Sequence, residues 1–120
     1  MDLSSQRQFI QRADNVHLRL ALTSQYTFYT APSGGDFDFV VVESFIASER
    51  GNQQTTLDIT VTHDGTEYSL FKEEVVKAYE HKELLSRSLI LTQGEIIKVT
   101  AAHADKIDLF MSIVEYAKGD

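Results

Sequence analysis

Apolar and polar residues alternate along most of this chain with the period of two that is typical of β-strands. The clearest run is 107–116, in which apolar side chains occupy every second position from Ile107 to Ile113. A second run, 89–101, contains two apolar stretches separated by turn-forming residues at 93–95. Because side chains alternate across a strand, each stretch presents one apolar face. The pattern predicts consecutive antiparallel strands.

Further strands are predicted in the first half of the chain. The run 16–22 places aliphatic residues from Val16 to Leu22 on one face, and a second run covers 26–30. The next segment, 31–35, contains a proline and two glycines, which favour a strand end and a loop. The run 57–61 has one dry and one wet face, and the pair Asp64-Gly65 after it predicts a hairpin turn.

The strand predicted at 37–48 is the most hydrophobic in the chain and is apolar on both faces. Such a strand is either covered twice, or buried on one face by another subunit, or bent by a bulge that rotates its faces. Strict alternation assigns Phe39, Val41 and Phe45 to one face and Val40, Val42 and Ile46 to the other.

These runs predict one all-β domain, an antiparallel β-sandwich of jelly-roll or immunoglobulin/C2-like type, over residues 15–117. The polar segment 1–14 is predicted as an N-terminal arm or short helix, packed locally or docked on a neighbouring subunit, and 118–120 as a tail. Segment 72–85 contains one charge pair at helical spacing, but its surroundings favour strand or loop.

Composition narrows the possible partners. The 120 residues include no cysteine, which is compatible with folding in a reducing cytoplasm. Eighteen acidic and eleven basic residues give a formal charge of −7, which disfavours nucleic-acid binding because phosphates are recognised by Lys and Arg. No stretch approaches the roughly 20 apolar residues of a membrane span, and the N-terminus lacks the order of a signal peptide. We expect neither nucleic acid nor membrane as a partner.

The sequence offers no pattern typical of catalysis or metal binding. The histidines, at 17, 63, 81 and 103, are widely separated, and loop acids at 36, 38, 64 and 105 do not form the dense oxygen cluster that calcium needs. The chain has no Gly-x-Ser-x-Gly nucleophile elbow and no phosphate-binding glycine loop. We expect a protein that is not an enzyme and carries no metal or cofactor.

Aromatic residues are the candidates for a binding surface. Seven Phe and five Tyr exceed what one buried face of each strand requires, and several of them flank the loop at 31–35. About half should belong to the core, and the rest could anchor an interface, where aromatic residues are enriched. The predicted interface consists of Tyr26, Phe28, Tyr29, Phe37, Phe39, Val40, Val42 and Ile46.

The order of five short motifs carries a resemblance to a known family. They are a Tyr-Thr-x-Pro element at 29–32, the hydrophobic strand at 40–47, the strand pair around Asp64-Gly65, a Leu-x-Leu-x-x-Gly-Glu run at 89–95, and a closing strand that contains Glu115. In this order they resemble small β-sandwich virion proteins of tailed bacteriophages. The resemblance implies a structural part of the particle, such as a capsid decoration protein or a neck, tail or baseplate component.

Two functional hypotheses follow. The first is a virion protein, assembled in the host cytoplasm, that forms a trimer or larger ring and docks on other virion proteins. The second is a carbohydrate- or cell-surface-binding module, suggested by Tyr29 beside the loop at 31–35. An enzyme ranks third.

Overall fold

Nine antiparallel strands make up the described part of the chain, residues 9–118 of the computed structural model, and no helix occurs among these residues. The strands are β1 (Phe9–Arg19), β2 (Tyr26–Thr30), β3 (Phe37–Glu49), β4 (Thr55–His63), β5 (Thr66–Val76), β6 (His81–Glu83), β7 (Leu89–Thr92), β8 (Ile96–Ala101) and β9 (Ile107–Ala117).

The strands pair in a nested order, first with last. In sheet 1, β9 lies between β1 and β3, and the other edge of β3 pairs with both β6 and β7. In sheet 2 the order is β2-β8-β4-β5. The pairs β1–β9, β2–β8, β3–β6/β7 and β4–β5 describe one long hairpin rolled into two sheets. This is the jelly-roll arrangement, so the predicted antiparallel sandwich is confirmed.

The tip of the rolled hairpin is the turn between β4 and β5. Asp64 and Gly65 have φ values of 48° and 79°, as the two central residues of a type I′ turn require. This turn type matches the right-handed twist of the two strands that it joins. The hairpin predicted from Asp64-Gly65 is therefore confirmed.

The core lies between the inner faces of the two sheets. Alternate residues of β9 and β4 point into it, including Leu109, Met111, Leu57 and Ile59, each at most 1% exposed. Burying one such side chain contributes about 1.5–3 kcal/mol to folding. Apolar and polar residues thus alternate in those strands that have one face against the core and the other against solvent.

A β-bulge in β3 interrupts the alternation that the sequence suggested. The register with β9 shifts between Val42 and Ser44, which leaves Glu43 as the extra residue. Val40, Val42 and Phe45 are therefore all fully buried. Strict alternation had placed Phe45 on the face opposite to Val40 and Val42, and this assignment is wrong because the bulge rotates the faces.

Residues 9–14, predicted as part of an N-terminal arm, are the first half of β1. They pair with β9 from Phe9 opposite Ala117 onward, except for Gln11, where the register shifts between Ile10 and Arg12. Their polar character reflects the position of β1 at the sheet edge. The remainder of the predicted arm, 1–8, and the last two residues of the predicted tail lie outside the described residues.

Three local expectations are refined by the structure. Strand β1 ends at Arg19, so Leu22 does not continue the buried face and is 59% exposed. The turn at 93–95 is present, but β7 and β8 belong to different sheets and do not pair with each other. Segment 72–85 is strand, turn and loop, as its surroundings favoured.

Candidate interaction surface

The outward-facing side chains of sheet 1 form cross-strand rows, because residues directly opposite on neighbouring strands point to the same face. At one end of the sheet, two neighbouring rows contain no charged residue. The first row is Ile10, Tyr116, Phe39 and Thr92, and the second is Ala13, Val114, Val41 and Ile90. We call these two rows the apolar patch.

Several members of the apolar patch are exposed to a degree that is unusual for large aliphatic residues. Ile10 and Ile90 are 65% and 60% exposed, and they lie on opposite edges of the patch. Between them, the rings of Phe39 and Tyr116 stack with centroids 4.9 Å apart and planes 19° apart. The stack holds two partly exposed aromatic rings in a fixed position at the middle of the sheet.

A polar row borders the apolar patch. It contains Asn15, Ser112 and Ser44, and the Ser112 hydroxyl donates a 2.8 Å hydrogen bond to the Asn15 side-chain oxygen. The bulge residue Glu43 is exposed beside this row and lines a shallow depression with Asn15 and Ser112. Its carboxylate forms no side-chain hydrogen bond or ion pair with any residue between 9 and 118.

Beyond the polar row, a fourth row contains Phe110 and Ile46 at its centre, flanked by His17 and Glu83. Phe110 is 48% exposed and lies 6.3 Å from the His17 ring. The apolar character of sheet 1 therefore resumes on the far side of Glu43.

The Glu83 carboxylate holds the bulge in place. It accepts hydrogen bonds from the Phe45 backbone N–H at 2.7 Å and from the Ser44 hydroxyl. Burial acts to raise the pKa of Glu83, but these donors outweigh it and hold the pKa below its usual value. The donors occupy the gap between β6 and β7, where β3 has no strand partner.

The outer face of sheet 2 has the opposite character. Its outward positions are rich in threonine, with Thr56, Thr60 and Thr62 on β4 and Thr100 on β8. The Glu67 carboxylate accepts hydrogen bonds from the Thr60 hydroxyl at 2.8 Å and the Gln25 amide at 2.9 Å. The outer face of sheet 2 is thus polar and hydrogen-bonded, whereas the outer face of sheet 1 is largely apolar.

Five of the eight residues predicted as interface belong to the core of the protomer. Phe28, Tyr29, Phe37, Val40 and Val42 are at most 8% exposed, and a side chain buried within its own protomer has little surface to offer a partner. Tyr26, Phe39 and Ile46 keep partial exposure. These three residues, Phe39 and Ile46 on sheet 1 and Tyr26 on sheet 2, remain a prediction as interface residues.

The contribution of β9 to this surface was not predicted from the sequence. Once Ile107, Leu109, Met111 and Ile113 share the inner face, Phe110, Val114 and Tyr116 must share the outer one. These three large apolar residues lie on the face that should be polar if it met only solvent. That departure is the sequence signal that could have identified the surface.

Two buried carboxylates are both fully occupied by structural partners. Glu115 accepts a 2.6 Å hydrogen bond from the Tyr29 hydroxyl and two from the Arg12 guanidinium, at 3.0 and 3.2 Å. Burial raises the pKa of Tyr29 far above its usual value, and the bond to Glu115 adds to this effect. Because Tyr29 is buried, the carbohydrate-binding hypothesis loses the residue that suggested it.

Glu49, 1% exposed at the end of β3, is surrounded by backbone donors. Its carboxylate accepts hydrogen bonds from the N–H groups of Gly51, Asn52, Gln53 and Tyr79, at 2.9 to 3.2 Å. Burial opposes ionisation, but the backbone donors outweigh it and lower the pKa of Glu49. This carboxylate fastens the β3–β4 loop to the turn before β6.

Within residues 9–118, no group of three or more His, Asp or Glu side chains is placed to hold a metal ion. Over the same residues, no helix is long and apolar enough to cross a membrane.

Comparison with solved structures reveals similarity in fold. Eiger TNF from S. frugiperda is 13% identical, with a TM-score of 0.50 and coverage of 95% of this chain and 96% of that one. Murine APRIL is 15% identical, with a TM-score of 0.44 and coverage of 84% and 98%. A pentameric capsid protein from metagenomic phage sequences is 14% identical, with a TM-score of 0.41 and coverage of 88% and 60%.

At 13% identity, the similarity to Eiger TNF shows the fold alone. No family model and no curated protein matches the sequence.

Proposed function

We propose that this chain is a non-enzymatic structural protein of a phage virion, which self-assembles through the outer face of sheet 1 and docks on other virion proteins. The observation that carries the proposal is the contrast between the two outer faces. The outer face of sheet 1 carries the apolar patch and, beyond the polar row, Phe110 and Ile46, whereas the outer face of sheet 2 is hydrogen-bonded and polar. Exposed apolar surface rimmed by polar residues is typical of interaction sites in soluble proteins.

A second copy of the chain is the partner that fits this face. The chain carries a formal charge of −7, so two copies repel each other at most approaches. The two rows of the apolar patch carry no charge, which makes this the region where copies can meet without like-charge contact. A closed ring such as a trimer would bury the same face on every copy.

The virion assignment rests on the resemblance to phage β-sandwich proteins, with which a jelly roll is compatible. A decoration, neck or tail role is the specific form of this proposal. Peptides of this chain at a fixed copy number in purified phage particles would support it. Particles that assemble and infect normally without the chain would count against an essential role there.

Sedimentation velocity of purified protein tests the self-assembly. We expect wild type to form an oligomer and Ile90→Asp to shift it to monomer, since the substitution places a charge in the apolar patch. Tyr68→Asp is the matched control, because Tyr68 is 58% exposed on β5 of sheet 2. A wild-type protein that stays monomeric at high concentration, or two variants that behave alike, would overturn the proposal.

A further inference from the structure

Glu43 carries a charge on the outer face of sheet 1, the face through which self-assembly is proposed. The bulge places it on the outer side of β3, between the apolar patch and the row that contains Phe110. The β9 residues that line the same depression are Ser112, Ile113 and Val114, none of which is charged. On β1, Asn15 lines the same depression and is a neutral amide, whose side-chain oxygen accepts the hydrogen bond from Ser112.

The charged groups around the polar row do not neutralise Glu43. On β1, Asp14 bonds to Arg12, and Arg12 is also held by Glu115. On β6, Glu83 is an acid and is engaged by the bulge itself. Glu43 therefore relies on water for its stabilisation.

The dimensions of sheet 1 indicate that a partner must cover Glu43. Neighbouring strands are about 4.8 Å apart and alternate residues about 6.7 Å apart, so two rows across four strands cover roughly 250 Å². A stable interface takes about 800 Å² from each partner. The apolar patch alone falls well short of this area, and all four rows together cover about 500 Å². A partner copy that docks on the outer face of sheet 1 therefore needs the whole face, including the polar row beside Glu43.

We propose that Glu43 weakens self-association through sheet 1, because each copy must desolvate an unpaired carboxylate when a second copy covers it. This inference rests on the proposed self-assembly. Removing a carboxylate from water without a partner charge costs far more than burying a neutral amide. The residue thus keeps the contact reversible, and disfavours stable pairs at low concentration.

Sedimentation equilibrium of wild type, Glu43→Gln and Asp64→Asn tests the inference. Gln keeps the size of the side chain and removes its charge, so Glu43→Gln should raise the association constant at least 10-fold. Asp64→Asn removes one charge at the β4–β5 turn, away from sheet 1, and Asn tolerates the positive φ of that position. This control should change the association constant less than 2-fold.

The outcomes separate this inference from the proposed function. If wild type assembles through Ile90 but Glu43→Gln binds no more tightly, the inference is overturned and the self-assembly stands. If Asp64→Asn tightens association as much as Glu43→Gln, net charge accounts for the effect and the inference is again overturned. If wild type and Glu43→Gln both stay monomeric, both proposals fail. If wild type assembles through Ile90 and Glu43→Gln associates at least 10-fold more tightly, both proposals are supported.

Discussion

The Tyr29 hydroxyl lies 2.6 Å from the Glu115 carboxylate, and this hydrogen bond joins the two sheets through the interior of the sandwich. Tyr29 comes from β2 of sheet 2, and Glu115 from β9 of sheet 1. Arg12 on the edge strand β1 holds the same carboxylate. A charged group is tolerated in the core because its oxygens are satisfied from both sheets.

Replacing Tyr29 with Phe removes this bond without opening a large cavity. We expect a loss of about 1.5–3 kcal/mol in the free energy of unfolding, the usual contribution of a hydrogen bond to a charged group. Urea denaturation measures it. Tyr68→Phe, at an exposed position on β5, is the control and should change stability by less than about 0.5 kcal/mol. Equal losses for the two variants would contradict a structural role for the bond between the sheets.

The ionisation of the Glu49 carboxylate should make the stability of the protein depend on pH. Its pKa is lowered in the folded state, so its stabilising effect is fully present above the unfolded-state pKa of about 4.3 and is lost as pH falls through the folded value. Wild type should lose melting temperature steeply below about pH 4.3. Glu49→Gln should be less stable than wild type at pH 7, with a difference that shrinks towards pH 3.

Differential scanning calorimetry between pH 7 and pH 3 measures these melting temperatures. Glu73→Gln, on the exposed edge strand β5, serves as the comparison and should follow the wild-type profile. A constant difference between wild type and Glu49→Gln across this range would show that the charge of Glu49 is not the stabilising feature.

Alanine substitutions at two adjacent residues test whether β3 contains the bulge. Phe45 is fully buried and stacks on Phe28 with ring centroids 5.4 Å apart, so Phe45→Ala should cost about 3–5 kcal/mol. Ile46 lies on the outer face, and Ile46→Ala should cost the protomer under about 1.5 kcal/mol while weakening self-association.

Chemical denaturation at low protein concentration gives these stabilities without the contribution of assembly. Strict alternation from Val42 would place Ile46 in the core and Phe45 outside, which is the reverse ranking. If Ile46→Ala proved the more damaging change, Glu43 would not be a bulge residue.

The positions of the strands were easier to predict from the sequence than which side chains of each strand point to the core. Period two in β9 and the Asp64-Gly65 turn are local signals, and both were sufficient to predict the observed elements. The bulge at Glu43 was not predictable, because β3 has apolar residues on both faces and either register buries a similar set. Only the ladder with β9 and the hydrogen bonds that Glu83 accepts from Ser44 and Phe45 decide between them.

Long-range relationships account for the rest of the difference. Tyr29 and Glu115 are 86 residues apart, and nothing local identifies them as partners. Likewise, the partners of β7 and β8 are set by the way the long hairpin rolls, although a turn joins the two strands directly. The predicted interface included core residues for the same reason, because aromatic content alone does not distinguish the inner from the outer face.

The position of β9 determines when sheet 1 can form during synthesis of the chain. It is the last strand of the chain, yet it lies between β1 and β3 in the middle of sheet 1. While the ribosome is still synthesising residues 107–117, sheet 1 lacks its central ladder, and β1 has no neighbour to pair with. Contacts of such high sequence separation make folding slow. Loss of residues 107–117 would remove the middle of sheet 1 and leave the edges of β1 and β3 open to aggregation.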